Sequence, residues 1–153
     1  MTGKDKNDKI VLFTIGFTKK TAREFFDLLE GAGVRQIIDI RLKPGSQLSG
    51  FAKGDDLRFF LDAILGIGYI HMPQLAPTKE ILDDYRKGQI SWATYERDFL
   101  EILSERKIQN LVTQEMLNKS CLLCSEAEPK HCHRRLVAEY LQEKLSNMAI
   151  MHL

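Results

Sequence analysis

The densest set of reactive side chains lies in one stretch, Cys124-Ser-Glu-Ala-Glu-Pro-Lys-His-Cys-His-Arg134. It offers thiols, a carboxylate, imidazoles and a guanidinium within a single connection. Pro129 limits where a following helix can begin. Residues 131–134 are therefore expected in a first helical turn, where free N–H groups favour an anion. Arg134 and Arg135 are poorly placed for that dipole unless an anion or a carboxylate such as Glu126 faces them. Arg134 is read as an anion ligand. Glu126 is read as a general acid/base or as a partner for a ribose hydroxyl. Cys132 at a helix start is a candidate nucleophile if nearby cations lower its pKa. His133 is a candidate proton carrier, and His131 and Cys124 are candidate substrate contacts.

The cysteine spacing excludes some chemistry. A cysteine-phosphatase loop closes with arginine six residues after its nucleophile. The residues six beyond Cys121, Cys124 and Cys132 are Ala127, Lys130 and Ala138. Cys121 and Cys124 have CxxC spacing, but residues three apart on a strand point to opposite faces. Cys124, His131, Cys132 and His133 include soft and imidazole ligands. Adjacent residues rarely all bind one ion, and no second ligand pair stands at zinc-finger spacing. No metal or cofactor is expected, although a thiol- or metal-responsive site on Cys124 and Cys132 is one alternative.

Other reactive residues follow other apolar runs. Thr18 follows the first. Asp39, Arg41 and Lys43 alternate at the end of the second, so they share a face. Arg41 could clamp an anion together with Arg134, or pair internally with Asp39. Lys43 extends the cationic set. His71 ends the third run as a candidate general acid or base, or as a structural histidine. Trp92 and Tyr95 fit a helical core stripe better than a stacking platform.

These positions need a scaffold. Lys9 to Ile15, Val34 to Ile40, Tyr69 to Met72, Cys121 to Cys124 and Ala149 to Leu153 read as strands. Thr21 and Glu24 form a capping box ahead of a helix ended by Gly31 and Gly33. Asp55 or Asp56 is expected to cap the next helix. Thr78 to Lys87, Ser91 to Arg106 and Arg134 to Ser146 read as further helices, and residues 108–117 as a continuation. The alternation predicts a three-layer α/β fold: a mainly parallel sheet of about five strands with helices on both faces and right-handed crossovers. In such sheets ligands collect beyond the carboxyl ends of the strands. Strand order is not readable from the sequence.

Residues 1–8 are expected to be a disordered tail and residues 9–153 a single α/β domain. Hydrophobic residues make up 44% and charged residues 28%, which excludes a wholly disordered chain. A net charge of +1 argues against broad electrostatic binding of nucleic acid, while leaving a local basic site open. No apolar run is long enough to span a bilayer. The three cysteines fall within twelve residues, unlike a secreted disulfide framework. A cytoplasmic location, with no membrane partner, is expected.

The chain resembles the family catalogued as domain of unknown function 488. The resemblance rests on Thr14-Ile-Gly-Phe-Thr18, Asp39-Ile-Arg41 with Pro44, Tyr69-Ile-His71 with Leu75-Ala-Pro-Thr78, Leu123-Cys-Ser-Glu126, and His131-Cys-His-Arg134. His152-Leu153 also looks like the closing strand of the family, so the resemblance runs from about Ile10 onward. It implies a cytoplasmic, single-domain α/β protein with a shared site at Arg41, Cys124, Glu126, His131, Cys132, His133 and Arg134. It implies no settled activity. Where many relatives have histidine after the first glycine, this chain has Phe17.

The resulting expectation is a cytoplasmic enzyme, a hydrolase or transferase, acting on an anionic, phosphate-bearing substrate at the carboxyl edge of the sheet. A nucleotide or a nucleic-acid end would fit. A binding module for the same ligands, without turnover, is the other alternative.

Overall fold

Apolar runs stopped by glycine, proline or charge form five strands: β1 (Ile10–Gly16), β2 (Gln36–Asp39), β3 (Gly68–His71), β4 (Ser120–Cys124) and β5 (Met148–His152). A computed structural model describes residues 9–45 and 47–153. The tail expected over residues 1–8 lies outside them. The strands form one sheet in the order β3-β2-β4-β1-β5, and every neighbouring pair is parallel. The helices are α1 (Ala22–Ala32), α2 (Gly54–Phe60), α3 (Lys79–Arg86), α4 (Trp92–Glu105), α5 (Gln114–Leu117) and α6 (His133–Leu145).

Two apolar cores cover the two faces. Phe25, Phe26 and Leu29 of α1 and Leu57 of α2 pack with Phe13, Ile15, Ile37, Cys121 and Leu123. Phe99 and Leu103 of α4 and Leu136, Val137 and Leu141 of α6 pack with Leu12, Ile38 and Leu122. The alternation along each strand sorts its residues between these cores. Cys121 therefore faces α1 and α2, and Cys124 faces the other way.

Topology then locates a crevice. The chain moves from β1 through β2 to β3 along one face, and returns through β4 to β5 along the other. This arrangement agrees with one handedness for all four crossovers. Strand β4 lies between β1 and β2. The helices that follow β1 and β2 lie opposite the helix that follows β4. The connections part there, at the carboxyl end of β4, which is where open α/β sheets bind ligands.

Local signals explain most helix boundaries. Thr21 and Glu24 form the expected capping box, and Gly33 closes α1 at φ 73°. Thr78 and Ser91 cap α3 and α4 through their hydroxyls. Three expectations are corrected. Lys53 occupies the cap of α2, so Asp55 and Asp56 fall in its first turn, and a wider turn over Leu61–Leu65 extends it. The helix expected over 108–117 is broken: Lys107 adopts φ 51°, a short 3-10 turn follows, and Thr113 caps α5 anew. Helix α6 begins one residue early, at His133, with Cys132 at its cap.

Candidate functional site

The connection from β4 to α6 is held from below. Arg134 is fully buried. Its Nη1 donates to the carbonyl of Glu126, its Nη2 to the carbonyl of Ala127 at 3.2 Å, and its Nε to Thr14 Oγ1 at 3.2 Å. A buried guanidinium must find acceptors, and backbone carbonyls of a loop supply them. Thr14 Oγ1 also lies 2.5 Å from Nδ1 of His152, within hydrogen-bond distance. The adjoining β1 turn presses on the same loop. The Thr18 amide donates to the Ser125 carbonyl at 3.1 Å. A Cβ on Gly16 would overlap the Glu126 carbonyl oxygen and stand 2.6 Å from Arg134 Nη1. Gly16 is therefore required by close approach, not by an unusual φ.

A cavity of about 600 Å³ opens over this loop. Among the expected site residues, Thr18, Arg41, Lys43, Cys124, Glu126, His131, Cys132 and His133 line it. Arg134 and His71 do not. Arg134 lies beneath the loop as its clamp. Nε2 of His71 stands 2.8 Å from the Arg41 carbonyl oxygen, pinning the β2 connection. Arg135 is also turned away, holding Glu139 at 3.2 Å and Glu96 at 3.9 Å on the helical surface.

Arg41 is only 5% exposed although it reaches the cavity wall. Its Nε and Nη2 meet the two Asp39 oxygens at 2.9 and 2.7 Å, and Nη2 also donates to the Ala52 carbonyl. Tyr69 donates its hydroxyl to Asp39 at 2.6 Å. Of the two sequence readings for Arg41, the internal pair is present. Its guanidinium also lies 5.4 Å from the centre of the Phe17 ring, a contact of the cation–π kind.

Cys124, Cys132 and His133 form the cavity floor. Cys132 donates its thiol hydrogen to Cys124 Sγ at 2.7 Å. Nδ1 of His133 lies 3.5 Å from the same sulfur, and its Nε2 lies 2.8 Å from the Ile40 carbonyl oxygen. That carbonyl accepts only, so Nε2 carries a proton and Nδ1 is turned to Cys124. Burial on its own would push the Cys124 thiol up, but the Cys132 hydrogen bond and the His133 charge outweigh it. They hold Cys124 well below the ordinary thiol value of 9.0. Burial works against a charged His133 too, yet the Cys124 thiolate raises its pKa. Burial and the neighbouring Cys124 push the Cys132 thiol up. The surroundings of the floor thus favour ionisation of Cys124 and protonation of His133, and oppose ionisation of Cys132. Of the two thiols, Cys124 is the one whose surroundings favour ionisation, and Cys132, read as a candidate nucleophile, is the one whose surroundings oppose it.

Among the described residues, the same three are also a set that could hold a metal, since their ligand atoms lie within 4.8 Å of one another. A ligating histidine commonly donates its second nitrogen to a carbonyl, as His133 does. His131, expected in the same set, instead stacks on Trp92 with ring centres 4.9 Å apart.

The outer wall was not legible in the sequence. Helix α3 supplies Lys79, Leu82, Asp83, Tyr85 and Arg86, and α4 supplies Trp92 and Tyr95. Lys79 pairs with Asp83 at 3.2 Å. In the sequence Thr78 to Lys87 reads only as a helix, and Trp92 and Tyr95 read as core. Both aromatic residues do pack in the core, with their other side turned to the cavity.

No helix among the described residues is long and apolar enough to cross a membrane. No curated protein and no solved structure matches the chain. The sequence model of a family described as domain of unknown function DUF488 matches residues 21–141. That span takes in the β2, β3 and β4–α6 motifs and leaves out the β1 turn and the closing strand. Covering most of the chain, it establishes that this protein belongs to the DUF488 family.

Proposed function

We propose that this protein is an enzyme, a hydrolase or transferase, that binds a phosphate-bearing substrate in the cavity and attacks it with the Cys124 thiolate. The observation that carries this reading is the environment of Cys124 Sγ. It accepts a hydrogen bond from Cys132 at 2.7 Å and faces His133 Nδ1 at 3.5 Å, on the floor of a cavity fringed by cations. A thiolate is the reactive form of cysteine, and a neighbouring imidazolium keeps it ionised at neutral pH.

The remaining residues take roles that follow from their places. Lys43 and Arg86 at the rim bind the phosphate, while Arg41, fixed by Asp39, lines the wall beside them as a further contact. Glu126 stands at the lip as general acid/base for the leaving group or an incoming water. His131 and Thr18 contact the substrate. His133 holds the thiolate, and Arg134 positions the loop that carries both.

The test is turnover of a panel of phosphate monoesters, diesters and nucleotides by the wild-type protein and by Cys124→Ser. Turnover of at least one class, lost in Cys124→Ser and kept in Cys121→Ser, is expected. Equal turnover by Cys124→Ser, or binding without turnover across the panel, would overturn the reading. The latter result would favour a binding module.

A further inference from the structure

We infer that Cys124 and Cys132 form a reversible redox couple, oxidised by a hydroperoxide to a disulfide that silences the site. The inference rests on the proposed Cys124 thiolate and concerns the regulation of that same centre.

Three observations carry it. The two sulfurs are 2.7 Å apart, already in direct contact. They come from different elements, Cys124 from the last position of β4 and Cys132 from the cap of α6. Both line the cavity, so a small oxidant reaches them without unfolding. Cys121 cannot substitute, because it faces the α1–α2 core and lies in full burial there. The pair that matters is therefore not the CxxC pair in the sequence.

The steps balance. The Cys124 thiolate attacks the terminal oxygen of the hydroperoxide. An S–O bond forms, the O–O bond breaks, and the alkoxide leaves and takes a proton. Cys124 becomes a sulfenic acid, oxidised by two electrons, and the peroxide is reduced by two. Cys132 then attacks Cys124 Sγ. An S–S bond forms, the S–O bond breaks, and the departing hydroxide takes the Cys132 proton and leaves as water. An external dithiol returns both cysteines to thiols by exchange, and is itself oxidised to a disulfide.

The experiment treats purified wild-type protein with hydrogen peroxide and reads intact mass, then maps the cysteine-containing peptides. The expected product has lost the two thiol hydrogens, contains a Cys124–Cys132 linkage with Cys121 free, no longer alkylates at Cys124, and recovers fully with dithiothreitol. Cys132→Ser, lacking the second thiol, should instead gain oxygen at Cys124 as sulfinic and sulfonic acid. Wild-type protein that gains oxygen at Cys124 as Cys132→Ser does, with no linkage, would overturn the inference. So would a metal ion that copurifies on Cys124, Cys132 and His133 and blocks the oxidation. No substrate enters this measurement, so its failure is separate from a failure of turnover.

Discussion

Cys124 and His133 face each other across 3.5 Å, sulfur to Nδ1, although one ends a strand and the other opens a helix nine residues later. The geometry is fixed from outside the pair, because His133 is also anchored on the Ile40 carbonyl at 2.8 Å. An imidazole so held cannot rotate away from the sulfur without leaving that carbonyl unpaired in the core.

The first prediction concerns reactivity against pH. A thiol held below its ordinary value stays ionised as pH falls from 9.0 towards its folded pKa. Alkylation of Cys124 by iodoacetamide should therefore remain fast well below pH 9.0, where an ordinary thiol slows. His133→Gln should move the inflection upward. Peptide-resolved alkylation rates provide the check, and an unchanged profile in the variant would remove the ion pair from the account.

The second concerns the loop clamp. Arg134 serves the Glu126 and Ala127 carbonyls and Thr14 at once. Arg134→Lys keeps the charge but cannot reach all three, so at least one buried acceptor loses its donor. A loss of about 3 kcal/mol is expected in chemical denaturation. Gly16→Ala should cost about as much by forcing the loop off β1. Each variant should also slow alkylation of Cys124, because the loop sets its surroundings. A stable Gly16→Ala protein with unchanged alkylation would contradict this packing.

The third concerns stability against pH. Burial and the Arg134 charge lower the His152 pKa from 6.5. The unfolded chain then binds more protons than the folded one between the folded value and 6.5. Stability from this group is complete above 6.5 and is lost as pH falls through the folded value. His133, raised from 6.5, has the opposite sign: its contribution is complete below 6.5 and is lost as pH rises through its folded value. His152→Asn should flatten the acid-side loss of stability and leave the neutral side alone. Denaturant midpoints of both proteins over about pH 5 to 8 would show it.

The fourth uses the single tryptophan of the chain. Trp92 lines the cavity and stacks on both Tyr95 and His131, with ring centres 5.1 and 4.9 Å away. A phosphate-bearing ligand that contacts His131 should change the Trp92 emission. Lys43→Glu and Arg86→Glu should each weaken that ligand by about tenfold, the worth of one charge-assisted hydrogen bond. An affinity equal to that of the wild type in both variants would place the ligand elsewhere.

The place of the candidate site, the cavity over the β4–α6 connection, was legible in the sequence because the segment from Cys124 to Arg134 concentrates reactive side chains, and strand and helix signals on either side put it at a sheet edge. The roles within it were less so. The sequence reads Arg134 as an anion ligand and Cys132 as a candidate nucleophile; both are buried, and that Arg134 turns beneath the loop while Cys132 meets Cys124 depends on the order β3-β2-β4-β1-β5, which no local pattern encodes. Likewise, His71 ends its strand as expected, but that strand is at the sheet edge and the cavity lies over β4. The contribution of α3 was hidden for a different reason. An amphipathic helix reads the same whether its polar face meets water or a cavity.

The proposed nucleophile towards a phosphate-bearing substrate is the Cys124 thiolate. The direct test mixes enzyme with whichever panel substrate is turned over, quenches with acid before turnover completes, and maps the modified residue by mass. A substrate-derived adduct on Cys124 is expected, absent in Cys124→Ser and more abundant in Glu126→Gln, where the second step is slowed. Turnover that leaves no adduct on Cys124 in either wild type or Glu126→Gln, or an adduct on Cys132, would contradict it.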